Sequence, residues 1–153
     1  SYVYAAAREI AEAAAGPMVV VTKSTVPVGT NREVGRILRE ARPDLAFAVA
    51  SNPEFLREGA AIEDFKRPDR IVVGLDGEAG RARAAMAEIY RPLALRDLAV
   101  VWTDLESAEM IKYASNAFLA AKVTFINEVA ALCERVGADV KAVARGIGLD
   151  GRI

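Results

Sequence analysis

The sequence predicts an α/β chain: half of a doubly wound, mostly parallel sheet that gives way near Asp104 to one long helix. Two observations carry that prediction. Through residue 104, short continuous apolar runs rich in β-branched residues alternate with amphipathic helical patterns, which is the signature of βαβ crossovers and a sheet covered on both faces. From Glu106 to Val136 the chain then contains neither proline nor glycine. A single helix there would be about 46 Å long at 1.5 Å per residue, more than one small domain covers.

The elements follow in order. Tyr2 to Ala15 is Ala-rich with Arg8, Glu9 and Glu12 spaced for a solvent face, and reads as a helix stopped by Gly16-Pro17. Met18 to Ser24 (MVVVTKS) reads as a strand buried on both faces. After the VPVG turn, Asn31 is the expected N-cap of a helix to about Ala41, ended by Arg42-Pro43. Leu45–Ser51 and Arg70–Leu75 read as further strands, Gly80–Tyr90 as a helix, and Leu98–Asp104 as the last strand. In the long helix, Ala114, Ala117, Ala120 and Ala121 would admit a close neighbour, and Phe118, Phe125 and Leu132 repeat at sevenfold spacing. That helix is either a core helix within one subunit or a spine shared between subunits. Gly137 ends it, and Asp139 caps a short helix beyond.

Composition excludes several functions. The chain has 153 residues, 53% of them apolar, enough to bury a core and too apolar for disorder. With 20 basic against 21 acidic residues it carries no electrostatic footprint for nucleic acid or an anionic membrane. No uninterrupted apolar run approaches the roughly 20 residues of a membrane span. There is no histidine, which removes His triads, His metal sites and imidazole bases, so no metal is expected. The single cysteine, Cys133, forms no internal disulfide, fits a cytoplasmic location, and reads as a small core residue rather than a nucleophile. Both ends read as cut from something longer.

Three segments carry candidate chemistry. KSTVPVGT (residues 23–30) leaves the carboxyl end of a strand, the edge where ligands bind in open α/β sheets, and Ser24 and Thr25 supply hydroxyls there; the alternative is a plain strand-to-helix turn. SNPEFLREGAAIEDF (residues 51–65) also follows a strand. Its Glu54 and Glu58 are four apart, so on a helical turn they would share a face and suit acid/base work, with Phe55 and Leu56 walling a pocket. The alternative is a solvated turn in which Arg57 offsets the acids. Lys112 and Asn116 stand at i and i+4 near the start of the long helix, where an ammonium and an amide can hold an oxyanion together; a solvated lysine is the competing reading. Gly146, Gly148 and Gly151 spell G-x-G-x-x-G, but a helix precedes them instead of a strand, so they read as a helix stop and turn.

These segments in this order, with PDRIVVG (residues 68–74) and AEMIKYASNAFLAAKVTFINEVAALCERVGADV (residues 108–140) followed by GLDGRI, resemble the UDP-glucose 6-dehydrogenase family, within the wider nucleotide-sugar 6-dehydrogenases that include GDP-mannose and UDP-N-acetylmannosamine enzymes. The resemblance runs from Tyr2 to Ile153 and is closer to the UDP-glucose members. It implies the second half of a Rossmann-like NAD-binding domain over residues 1–104, and from 105 to 153 the start of an all-α dimerisation domain, with helix 106–136 at the core of a homodimer. It also implies NAD as cofactor, a UDP-sugar as substrate, and four-electron oxidation of the sugar C6 alcohol to a carboxylate through a thiohemiacetal and a thioester on a cysteine that is not Cys133. Carried over residue by residue, Thr25 contacts the cofactor and helps place a water. Glu54 activates water for thioester hydrolysis, and Glu58 lines the cofactor and substrate junction. Glu54, Phe55, Leu56, Arg57 and Glu58 hold the sugar nucleotide. Lys112 stabilises the C6 oxyanion with Asn116 beside it, and Arg152 reaches the substrate of a neighbouring subunit. The Gly-rich NAD loop is expected upstream of Ser1 and the reacting cysteine downstream of Ile153, so the isolated chain is expected to be inactive. A non-catalytic helical dimerisation module is the reading from another class.

Overall fold

The computed structural model describes residues 1–77, 80–94 and 98–153. The chain divides into two compact units, Ser1–Tyr113 and Ala114–Ile153.

In the first unit, α1 (Tyr2–Ala13) is capped by Ser1, whose hydroxyl accepts from the Tyr4 amide, and it buries Ala7 and Ala11 one turn apart. Strand β1 (Met18–Thr22) leads to α2 (Thr30–Ala41), which sets Val34, Ile37 and Leu38 on one inward stripe. Strand β2 (Phe47–Ser51) follows, then a short α3 (Ala61–Lys66), β3 (Arg70–Leu75), α4 (Gly80–Ala94) and β4 (Ala99–Asp104). Helix α4 runs a turn past the expected Tyr90. Pro92 lies in its last turn, where the lost N–H removes one ladder bond without breaking the helix.

The sheet order is β1-β2-β3-β4. Pairs β1–β2 and β3–β4 are parallel, whereas β2–β3 is antiparallel and joins only at Ala50↔Leu75 and Ser51↔Gly74. The connection between β2 and β3, residues 52–69, holds only the six-residue α3, none of it buried, so no crossover helix covers the sheet there. Beyond the short antiparallel ladder, Asn52 takes over: its amide nitrogen donates to the Thr22 carbonyl (2.9 Å) and Nδ2 to the Val72 carbonyl (2.8 Å).

One face of the sheet packs Ala7, Ala11, Val34, Ile37 and Leu38 against Val49, with Leu105 joining them. The other packs Ala82, Met86 and Tyr90 of α4 against Ala50, Ile71, Val73 and Leu75. This is a helix–sheet–helix sandwich, as expected. Strand β1, expected to be buried on both faces, is only half-buried because it stands at the end of the strand order. At the other end, β4 alternates exposed and half-buried residues for the same reason.

Helix α5 (Leu105–Val136) begins in the first unit and continues through the second. Asp104 caps it, accepting from the Ser107 amide (2.7 Å) and hydroxyl (2.8 Å), and these bonds hold its carboxyl below the usual carboxylate range. Gly74 sets how closely α5 approaches the sheet. A Cβ there would lie 2.6 Å from both the Asp104 carbonyl oxygen and the Ala108 Cβ. Gly74→Ala is expected to destabilise the protein by about 1–3 kcal/mol, because backbone rather than a flexible side chain must yield. Urea unfolding that leaves the midpoint unchanged would contradict this.

In the second unit, α5 ends before Gly137, which takes a left-handed φ of 72°, and α6 (Val140–Gly148) is capped by Asp139. Gly146 and Gly148 thus lie within a helix and Gly151 in the turn after it, so GIGLDG is a helix stop and not a phosphate loop. Cys133 is buried.

Candidate active site at the carboxyl ends of β1 and β2

The site region starts where β1 ends. Residues 23–29 leave the sheet as an irregular loop with Ser24 and Thr25 exposed and Val26 buried beneath them. Helix α2 then begins one residue before the expected cap. Its N-cap is Gly29, at φ 90°, which offers no side-chain acceptor to the first-turn amides. Asn31, the expected cap, lies inside the helix and is fully buried. The acceptor comes from α5 instead. The buried Glu109 carboxylate takes hydrogen bonds from the Gly29 amide (2.6 Å), the Asn31 amide (2.8 Å) and Asn31 Nδ2 (2.8 Å). An anion at a helix N-terminus also suits the helix dipole.

One turn earlier on α5, Glu106 grips Arg32 of α2 through two bonds (2.7 and 2.9 Å), and Arg32 also reaches Asp76 after β3 (2.7 Å). The guanidinium holds the Glu106 carboxyl below its ordinary range. A carboxyl lowered on folding stabilises the native state above its unfolded value, and that contribution is lost as pH falls through the lowered folded value. Arg32→Ala is therefore expected to lower Tm by no more than about 4 °C near neutral pH, since the pair is partly exposed. The difference should shrink below roughly pH 4; a gap that persists there would exclude the pair as its cause.

The second loop leaves β2 at Asn52. Residues 52–57 are irregular and Gly59 adopts a left-handed φ of 81°, so Glu54 and Glu58 share no helical face. The expectation of a common helical turn fails because Pro53 constrains the chain before it and α3 starts only at Ala61. Both acids are exposed and, among the described residues, carry no hydrogen-bond or ion-pair partner. Arg57 does not offset them. It turns to Asp64 of α3, whose carboxylate accepts from the Arg57 amide (2.7 Å) and guanidinium (2.6 Å), and the guanidinium holds the Asp64 carboxyl low.

Phe55 and Leu56 are half-buried, and Phe55 joins two elements. The Arg70 guanidinium lies 4.0 Å from its ring centroid and the Lys112 ammonium 5.0 Å away. The loop after β2 and the first turns of α5 thus meet at this ring. Lys112 is half-buried. Asn116 follows it one turn along α5, exposed and in the second unit, as is Arg152, which pairs with Asp150 (2.9 Å).

Two features escape a reading of the sequence. One is the Glu109 clamp, which leaves no signal in the sequence, because Asn31 at the start of α2 already reads as a cap. The other is a polar knot beneath the site, in which Asn52 Oδ1 accepts from Lys23 Nζ (3.1 Å) and the Tyr90 hydroxyl. Its signal is an Asn directly after a buried strand.

A layered α/β unit whose loops leave the carboxyl ends of β1 and β2, followed by a long helix that brings an ammonium to one of them, is the architecture of the doubly wound α/β class, in which that edge of the sheet is where ligands bind. Residues 1–94 match the NAD binding domain of the UDP-glucose/GDP-mannose dehydrogenase family and residues 106–153 match its central domain. The chain belongs to this family. It is 69% identical over its whole length to a UDP-glucose 6-dehydrogenase of Rhizobium meliloti, of which it covers 35%. A UDP-glucose dehydrogenase from Pyrobaculum islandicum superposes with a TM-score of 0.91 at 46% identity, covering 99% of this chain and 35% of that one. A GDP-mannose dehydrogenase from Pseudomonas aeruginosa superposes with a TM-score of 0.89 at 34% identity, with 99% and 35% covered. The chain therefore spans about a third of the length of the relatives it matches. The fold these matches share is a Rossmann-like sheet of mixed direction followed by long helices.

Proposed function

We propose that the chain is the central portion of an NAD-dependent UDP-glucose 6-dehydrogenase, which oxidises the C6 alcohol of the sugar to a carboxylate. The observation that carries this reading is Lys112 held 5.0 Å from the Phe55 ring centroid, which brings the ammonium of α5 to the loop that leaves β2. The higher identity to a UDP-glucose enzyme than to the GDP-mannose one favours the former sugar. The exposed Thr25 hydroxyl at the β1 edge fits the polar contacts a dinucleotide needs, with Glu58 at the junction of cofactor and sugar. NAD, when bound, takes up hydride. The residues of this chain bind and steer: the segment from Glu54 to Glu58 holds the sugar nucleotide, and Lys112 with Asn116 stabilises negative charge on the C6 oxygen. Thr25 and Glu54 place and deprotonate the water that releases product. Arg152 reaches the substrate of a neighbouring subunit, and the domain boundary falls between residues 104 and 105. The buried Cys133 takes no part.

Helix α5 is the proposed homodimer seam. Phe118, Phe125 and Leu132 are 66%, 60% and 59% exposed. By length and composition α5 could also cross a bilayer, with mean hydropathy 1.2 in its most apolar stretch, of which 6% is buried. Lys122 and Glu128 within it oppose that, since a central Lys or acidic residue costs about 2.5–3.5 kcal/mol in a membrane. A second copy of the helix is the better cover, in a cytoplasmic enzyme with no membrane or nucleic-acid partner. NADH formation by the full-length protein with a panel of UDP-glucose, GDP-mannose and UDP-N-acetylmannosamine tests the reading. UDP-glucose should be preferred; no NADH with any of the three would overturn it. The isolated 153-residue chain should show no turnover.

A further inference from the structure

We propose that Glu109 is a positioning residue that fixes the Thr25 loop against α5, so that the cofactor-side hydroxyl and the Lys112 ammonium keep one geometry. This rests on the function proposed above. Glu109 is 2% exposed, and a buried carboxylate is retained only where donors surround it. Its donors are the amides of Gly29 and Asn31 and the Asn31 side chain. Gly29 closes the loop that carries Thr25, and Lys112 follows Glu109 by three residues on α5. One carboxylate therefore ties the loop at the β1 edge to the helix that carries the ammonium. Asn31 shows how strongly the charge dictates local geometry. Its Nδ2 is spent on Glu109, and Oδ1 is left buried without a partner among the described residues. The opposite amide orientation would set two oxygens against each other.

The test uses the full-length protein and a double-mutant cycle of Glu109→Gln with Thr25→Ala. Glutamine keeps the shape, but its amide group turns an N–H toward donors that need an acceptor. Glu109→Gln should lower kcat about 10–100-fold, the scale of an ångström-sized misplacement, with the KM for the sugar within about threefold. If Glu109 acts through the loop, the double variant should lose little more than Thr25→Ala alone; independent, multiplying losses would overturn the proposal. A second arm reads the clamp without activity. Hydrogen exchange at the Gly29 and Asn31 amides should accelerate in Glu109→Gln while β2 and β3 keep their protection, and unchanged exchange there would overturn it. Should that variant not fold, Asn31→Ala, which removes only the side-chain donor, must show the same acceleration at smaller amplitude. A wild-type protein that makes no NADH defeats the proposed function, and the exchange arm still decides the clamp.

Discussion

Lys112→Ala in the full-length protein is expected to lower kcat by about 10²–10³, the usual loss on removing one donor to a developing oxyanion. Negative charge gathers on the C6 oxygen as its proton is withdrawn, ahead of hydride transfer, and a fixed ammonium stabilises that alkoxide better than bulk water does. The structure supplies the fixing. Lys112 is half-buried and its Nζ stands 5.0 Å from the Phe55 ring centroid, so the quadrupole of the ring holds the head group while its protons stay free to donate. The Arg70 guanidinium stacks at 4.0 Å from the same centroid and helps hold the ring in place. The alcohol carries no charge before reaction, so the loss should fall on kcat and leave the KM for the sugar nearly unchanged. Lys112→Arg should not restore the rate, since a planar fork cannot occupy the place of a compact ammonium. Stopped-flow measurement of the first NADH formed separates this step from product release. Near-normal turnover in Lys112→Ala would remove the residue from the mechanism and with it the main support for the proposed chemistry.

The parts of this fold that could be read from sequence are those governed by local rules. Apolar runs such as RIVVGL, and caps such as Asp139 and Gly137, are decided within a few residues, and the structure has them where expected. What could not be read depends on residues far apart in the chain. The direction of β3 is not reported by the strand pattern, because a buried apolar run reads the same in either direction. The start of α2 is set by Glu109, some 78 positions from Asn31. The exposure of β1 and β4 follows from their places in the strand order, which apolar composition alone does not report. In the candidate site the same division holds. The loops were legible because they follow strands, whereas the pairing of Arg57 with Asp64 instead of the nearby acids follows from the turn at Gly59.

That turn bears on Glu54, and Glu54→Gln is expected to uncouple the two halves of the reaction. Glu54 stands after Pro53 in irregular backbone, exposed, with no partner among the described residues and with Arg57 drawn away toward Asp64. A carboxylate whose lone pairs are unspent is free to take a proton from water, which a salt-bridged one is not. In the proposed sequence a cysteine thiolate outside these residues adds to the C6 aldehyde, and loss of hydride leaves a thioester. Water then attacks, Glu54 takes its proton, and the thiolate departs. A glutamine at 54 keeps the size and can orient a water, but cannot accept its proton. Both hydride transfers should therefore proceed close to the normal rate while hydrolysis slows by about 10²–10⁴, the usual range for lost general-base help. The expected record is a burst of NADH with an amplitude of about two per site, the two hydrides of one sugar, followed by a slow steady state. Intact-mass analysis during that phase should find the protein carrying the sugar nucleotide as an acyl adduct, cleared by hydroxylamine. A variant that is slow from the first turnover and carries no adduct would mean that Glu54 acts before the thioester, in binding or in the first proton transfer, and the assignment of water activation would have to move to another residue.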